Sequence, residues 1–176
     1  MRILVDMDDV LADFNGEFLR IYRAKHPDKP YVRPEDRKLY KLTDEYPPEL
    51  VKGIFLAPGF IKNLPPIKGG LEAVMEMEEK GHKVMICTAP LLESETCYDE
   101  KREWIKKYLG KEWLTKISII TDKTYVKGDI LIDDRPSITG DCTPEWEHVL
   151  YTQPYNQQIT DKRRLTWDNW KEILGI

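Results

Sequence analysis

The chain reads as an α/β protein with a doubly wound, mostly parallel sheet, and three observations predict it. Short apolar runs recur along its length, at Ile3–Val5, Lys83–Cys87, Ile117–Ile120, Asp129–Ile132 and His148–Tyr151. Stretches with helical periodicity separate most of them, as parallel crossovers require. Polar residues of chemical use follow the runs directly, at the end of the strand where open α/β sheets bind ligands.

The first run sets the frame. Ile3-Leu4-Val5 is bounded at once by charge, which suits a strand buried on both faces. Asp6, Asp8 and Asp9 follow within four positions. An apolar strand ending in several carboxylates is electrostatically costly unless a cation offsets the repulsion, and hard cations prefer oxygen ligands. A Mg²⁺ site at this strand end is the first expectation.

From Ala12 to Arg23, Phe14, Phe18, Leu19 and Tyr22 recur at helical spacing. Pro27, Pro30 and Pro34 break that pattern. Residues 31–66 are proline-rich, with short helical pieces expected around Pro34–Tyr40 and Pro48–Phe55 and no strong strand. The division expected is a core of residues 1–14 and 67–176 and a small helical cap insert of residues 15–66. The insert's aromatics, Tyr40, Tyr46, Phe55 and Phe60, suit a small core of their own better than a ligand-stacking role.

Gly69-Gly70 opens the next helix, with Leu71, Val74 and Met75 as its stripe and Gly81 as its C-terminal stop. The second strand ends in Thr88-Ala89-Pro90, a turn signal that also offers a hydroxyl and backbone N–H groups to an anion. A helix carrying Trp104, Ile105, Tyr108 and Leu109 ends at Gly110. The third strand leads to Lys123, the fourth to Asp133-Asp134-Arg135, and a final helix over Thr166–Leu174 buries Trp167, Trp170, Ile173 and Leu174.

Composition narrows the function. The chain has 176 residues, enough for one domain or one domain plus an insert. A net charge of −4 and a sequence pI near 5.5 argue against a nucleic-acid polymer as partner, since that needs a basic face. No apolar run approaches the roughly 20 residues of a membrane span. The three cysteines lack C-x-x-C spacing, which fits a reduced cytoplasmic protein. The three histidines are scattered and make no metal-ligand pattern.

Each strand-end group has an ordinary reading alone. Acids after strands often cap helices, a loop lysine is usually solvated, and Arg135 beside two acids reads as a local ion pair. Together they are more specific, because a parallel sheet brings Asp6, Asp8, Thr88, Lys123, Asp133 and Asp134 to one edge. Carboxylates from two strands can hold one Mg²⁺, and a lysine and a hydroxyl can hold a phosphoryl group against it.

In order, Asp6-x-Asp8-x-Val10, Thr88, Lys123 and Asp133-Asp134 resemble the four motifs of the haloacid dehalogenase-like phosphatases. More closely, Asp6–Asp13, Ile86–Pro90, Tyr98-x-Glu100-Lys101, Asp122–Thr124, Leu131–Pro136, Ile138–Gly140, Trp146–Val149 and Trp167-x-x-Trp170-Lys171 resemble the 5′(3′)-deoxyribonucleotidases. That resemblance implies a Mg²⁺-dependent phosphomonoesterase acting on nucleoside monophosphates. It casts Asp6 as nucleophile, forming an aspartyl-phosphate, and Asp8 as the acid and base. It implies metal binding by Asp6, the carbonyl of Asp8, and Asp134, with Asp133 and Arg135 in support. Thr88, Ala89 and Lys123 fall at the phosphate, and Phe14 and Tyr40 on the nucleoside side. It leaves room for a homodimer.

There are departures. The family's mammalian members carry a longer insert that presents an aromatic pair to the base, where this chain has Leu39-Tyr40-Lys41. Ala89 replaces a common serine, and Asp9 stands where glycine often follows the acid. An alternative keeps the fold but takes sugar phosphates or other small phosphomonoesters. A receiver-like phospho-aspartate module fits less well, because its acceptor lies on a later strand than the first acids. A calcium loop fails on Val10 and Leu11.

Overall fold

A computed structural model describes residues 1–176. Six strands form one sheet: β1 (Arg2–Val5), β2 (Lys83–Thr88), β3 (Ile117–Ile119), β4 (Ile130–Asp133), β5 (Glu147–Tyr151) and β6 (Arg164–Leu165). Their order is β3-β2-β1-β4-β5-β6 and every pairing is parallel. The chain winds outward from β1 to β3, then crosses back to start β4 on the other side of β1. The topological switch point therefore lies between β1 and β4, where ligand crevices open in such sheets.

Five α-helices accompany the sheet: α1 (Phe14–Lys25), α2 (Pro48–Phe55), α3 (Gly70–Glu79), α4 (Cys97–Tyr108) and α5 (Trp170–Leu174). No helix is long and apolar enough to cross a membrane. The connections from β3 onward to β6 carry only 3₁₀ turns, at Lys123–Tyr125 and Pro154–Asn156. Their Pro, Gly, Asp and Thr content suits turns better than helices.

The two faces of the sheet are covered unequally. Ile3 and Val5 belong to a large apolar core that includes Phe18, Trp104 and the insert's Val51 and Ile54. Leu4, pointing the other way, packs with Cys87, Leu131 and Trp146 in a much smaller cluster. The complete burial of both sets explains why β1 reads as an unbroken apolar run.

Several local expectations shift. The residues around Pro34 form only a 3₁₀ turn, Pro34–Asp36. Met75 is exposed, and the inward face of α3 is Ala73, Val74 and Met77. The last helix starts at Trp170 rather than Thr166, and Ile173 is only partly buried. Trp167 precedes that helix and donates its indole N–H to Val10 O at 2.8 Å, tying the C-terminal segment to the turn after β1. The short strand β6 was not anticipated, because two residues carry no periodicity.

Candidate active site

The turn after β1 builds the first part of the site. Asp6 N–H still pairs with Ile132 O at 2.9 Å, so Asp6 is held at the end of the strand ladder. The chain then folds back on Met7 O, which accepts from Leu11 and Ala12, both at 2.8 Å. Asp9 takes a left-handed conformation with φ of 57°, a region that asparagine and aspartate tolerate better than most side chains. Asp13 caps α1 by accepting from Gly16 N–H at 2.9 Å. The ordinary capping role thus falls to Asp13, and Asp6 and Asp8 are left for other work.

Asp6, Asp133 and Asp134 converge, each offering a carboxylate oxygen within 4.8 Å of the others. All are nearly inaccessible to solvent. Lys123 reaches into this cluster, its ammonium 2.5 Å from Asp133 Oδ2 and 2.8 Å from Asp6 Oδ1. Only the contact with Asp133 has hydrogen-bond alignment, so Asp6 Oδ1 is a buried oxygen without a hydrogen-bonded partner. Asp133 Oδ1 accepts from Arg135 N–H at 2.8 Å.

One lysine does not neutralise three acids, and the titration of the group reflects it. Burial raises the Asp6 carboxyl against the opposing pull of Lys123. Burial, with Asp133, Asp9 and Asp6 nearby, holds Asp134 well above the usual carboxylate range. Asp133 goes the other way: burial raises it, but Lys123, the Arg135 amide and His148 together outweigh burial and hold it below the usual carboxylate value. Burial likewise pushes Asp9 up to about 8. A divalent cation answers this excess, since it supplies positive charge and takes oxygen ligands. The all-oxygen donor set and the orphaned Asp6 Oδ1 fit a hard ion such as Mg²⁺.

A second buried lysine completes the floor. Lys101, fully buried on α4, places its ammonium 2.8 Å from both Asp8 Oδ2 and Thr88 Oγ1. Because Thr88 Oγ1 accepts from this lysine, its own hydroxyl proton is free to be donated. Asp8 Oδ1 is buried without a hydrogen-bond partner.

The floor opens into a cavity of about 250 Å³. Asp6, Asp8, Asp134, Thr88 and Ala89 line one end, and Phe14, Tyr40, Lys41 and Phe55 line its walls. Phe14 is fixed by edge contact with Phe60, ring centres 5.0 Å apart, and by Phe55 at 5.9 Å. Tyr46 and Phe60 are buried, but in the large core shared with the sheet and not in a core of the insert's own, whereas Tyr40 and Phe55 face the cavity. Arg135 is not the local ion pair its neighbours suggest. Its Nε donates to Tyr40 OH at 3.3 Å, and its guanidinium lies 5.7 Å from that ring.

The structure thus brings together Asp6, Asp133, Asp134 and Lys123, and separately Asp8 with Thr88. Sequence reasoning gave no role to Lys101, although it sits in the quoted Tyr98-x-Glu100-Lys101 stretch. A lysine three residues before Trp104 on an apolar helix face was the available signal. It also missed Gln153, Tyr155 and Asn156. Tyr155 OH donates to Asp134 Oδ2 at 2.5 Å, and Asn156 Nδ2 donates to Asp134 O at 2.8 Å. Gln153 Nε2 donates to Asp9 O at 2.6 Å. Nothing in the sequence marks these three beyond their place after a strand.

Fold and site together define a phosphatase of the haloacid dehalogenase-like type. A crystal structure of a HAD family hydrolase from Deinococcus radiodurans, with bound phosphate and sodium, shares the fold with a TM-score of 0.64 at 14% identity, covering 99% of this chain and 94% of that one. The chain belongs to the family described as 5′ nucleotidase, deoxy (pyrimidine), cytosolic type C protein, whose family model matches residues 1–176. It is 42% identical to the human cytosolic-type 5′(3′)-deoxyribonucleotidase over 187 aligned positions, covering 99% of this chain and 93% of that protein. It is 44% identical to the human mitochondrial 5′(3′)-deoxyribonucleotidase, covering 99% and 82% respectively.

Proposed function

We propose that this enzyme hydrolyses nucleoside monophosphates, deoxynucleotides foremost, through an aspartyl-phosphate on Asp6 with Mg²⁺ as cofactor. The observation that carries the reading is the convergence of Asp6, Asp8 and Thr88 on the floor of one aromatic-walled cavity, backed from beneath by the buried Lys101 and Lys123.

The phosphoryl group enters over the floor. Thr88 donates its hydroxyl to a phosphoryl oxygen, and Lys101 and Lys123 offset the negative charge gathering there. Asp6 attacks phosphorus, forming a carboxylate oxygen–phosphorus bond as the phosphorus–oxygen bond to the nucleoside breaks. Asp8 gives its proton to the departing nucleoside oxygen. Water then attacks phosphorus and loses a proton to Asp8, the Asp6–phosphorus bond breaks, and phosphate leaves. Asp6, the carbonyl of Asp8, and Asp134 would hold Mg²⁺, with Asp133 orienting Lys123. When bound, the cation neutralises phosphoryl charge that would otherwise repel the anionic nucleophile.

Residues 15–66 act in this reading as a cap over a core of residues 1–14 and 67–176. Phe14, Tyr40 and Phe55 offer the nucleoside apolar faces, which suits a base or sugar better than a bare sugar phosphate. The test is phosphate release from a panel of nucleoside, deoxynucleoside and sugar monophosphates, with and without Mg²⁺, in wild type and Asp6→Asn. Mg²⁺-dependent release, strongest on deoxynucleotides and abolished in Asp6→Asn, is expected. Release surviving Asp6→Asn would end the covalent mechanism. Faster turnover of sugar phosphates would move the substrate to the alternative class.

A further inference from the structure

The segment that joins β5 to β6 touches both loops that make the acidic floor. Gln153 Nε2 holds Asp9 O in the β1 turn, while Gln153 N–H donates to Asn156 Oδ1 at 3.0 Å. Asn156 Nδ2 in turn bridges Asp134 O at 2.8 Å and Tyr151 O at 2.9 Å. Tyr155, 2% exposed, completes the frame through its hydroxyl on Asp134 Oδ2 at 2.5 Å.

Tyr155 is itself pinned from the insert side. The Arg37 guanidinium lies 4.9 Å from its ring centre, and the Tyr40 ring meets it at 5.8 Å and 66°. Arg37 is fixed in turn by a buried pair with Glu45 at 2.6 Å. These two contacts hold the phenol against Asp134, and its O–H has no other partner. Asp134 Oδ2 is committed to it, so Oδ1 is the only side-chain oxygen of Asp134 without a protein donor.

We propose that Tyr155 is a positioning residue of the cation site: it restricts Asp134 to one free carboxylate oxygen and so biases the site toward a small octahedral cation over Ca²⁺. The physical ground is the difference between the two ions. Ca²⁺ takes six to eight oxygens and accepts both oxygens of one carboxylate, while Mg²⁺ demands six ligands in near-ideal geometry. A donor fixed on Oδ2 occupies one of its lone pairs and fixes the carboxylate plane, which disfavours the two-oxygen mode and leaves the one-oxygen mode intact. Hydrogen-bond partners of metal ligands commonly change metal affinity by about 10- to 100-fold when removed. This inference rests on the cation-dependent reading above, and its test separates the two.

The experiment is calorimetric titration of MgCl₂ and CaCl₂ into the metal-free full chain, without substrate, for wild type and Tyr155→Phe. Phenylalanine keeps the ring contacts with Arg37 and Tyr40 and removes only the donor. The expected result is a Mg²⁺ Kd raised about tenfold with Ca²⁺ binding unchanged or tighter, so the preference shifts toward Ca²⁺. A Mg²⁺-to-Ca²⁺ ratio equal in both proteins would overturn the role of Tyr155 while leaving the cation site standing. No binding of either ion to wild type would overturn the cation-dependent reading and this inference with it. A thermal melt in EDTA verifies that Tyr155→Phe is folded. If its melt is not cooperative, Tyr155→His, which keeps a ring and an N–H donor, carries the comparison: a retained Mg²⁺ preference supports the role, and a lost one overturns it.

Discussion

The floor and the wall of the cavity are held in different ways. Asp6 and Asp133 sit at the ends of β1 and β4, central neighbours in a fully parallel sheet, with Asp134 next in the chain. Their backbones are fixed by the ladder and their side chains by Lys123, Tyr155 and the Arg135 amide. The wall from Tyr40 to Thr43 stands on a loop and a 3₁₀ turn, secured by side chains: Arg37 to Glu45, Leu39 O and Tyr40 O, and Tyr46 OH to Val32. In the proposed mechanism a rigid floor would fix the reacting atoms, and a loop-built wall could change residue without disturbing them. Of the departures from the resembled family, Tyr40 and Lys41 fall on that wall, whereas Asp9 and Ala89 lie at the floor end.

The comparison predicts that floor substitutions act on kcat and wall substitutions on KM. The largest effect after loss of Asp6 belongs to Lys101→Met. Methionine preserves the apolar stem but removes the ammonium that joins Asp8 to Thr88. Losing one such preorganised donor costs about 10²- to 10³-fold in comparable sites, and kcat should fall by about that much. A steady-state assay at saturating Mg²⁺ decides it. A change confined to KM would place Lys101 in ground-state binding and break the distinction drawn here.

Tyr40→Ala tests the wall. Stacking of a base on an aromatic side chain is worth about 1–3 kcal/mol, so KM for a deoxynucleoside monophosphate should rise about tenfold with kcat little changed. Tyr40→Phe keeps the ring, loses the bond from Arg135, and should lie close to wild type. Tyr40 also touches the Tyr155 ring, with Arg37 as the second support. If Tyr40→Ala lowered kcat instead, Arg37 alone would not suffice to keep Tyr155 on Asp134, and the wall would act on the floor through that contact.

The same division explains what could be read from the sequence. β1, β2 and β4 were legible because strands buried on both faces leave continuous apolar runs. Asp6, Thr88 and Asp133 stand at the ends of those runs, while Lys123 comes four residues after the partly buried β3. The insert was legible as a proline-rich interruption with one helix, Pro48–Phe55, where it was expected. Nothing around Tyr40 reveals that it faces the cavity while Tyr46 and Phe60 face inward, since turns carry no fixed side-chain period. Lys101 was hidden because it comes from a helix rather than a strand end. Tyr155 and Gln153 were hidden because their partners, Asp134 and Asp9, are remote in sequence and no local pattern encodes such pairs.

The smallest effect concerns the joint between wall and floor. Glu100, in the first turn of α4, accepts from Gly59 N–H at 2.6 Å, Ile61 N–H at 2.9 Å, Lys62 N–H at 3.2 Å and Thr96 OH at 2.7 Å. It thereby fastens the end of the insert to the helix that carries Lys101. Burial raises its carboxyl, but the four donors outweigh burial and hold it below its ordinary value of 4.5. A carboxyl depressed in the folded state binds protons less tightly there than in the unfolded chain. Its stabilisation is therefore fully present above its unfolded pKa and is lost as pH falls through the folded value. Glu100→Gln keeps an acceptor but not the charge, and should cost about 1 kcal/mol at pH 7, or about 2–4 °C in Tm. The gap should close as pH falls below 4.5 and through the lowered folded value, where wild type is losing the same charge by protonation. Melting curves of both proteins from pH 7 to pH 3 measure it. A gap that stayed constant across that range would mean that packing, not an ionised carboxylate, secures the wall to the floor.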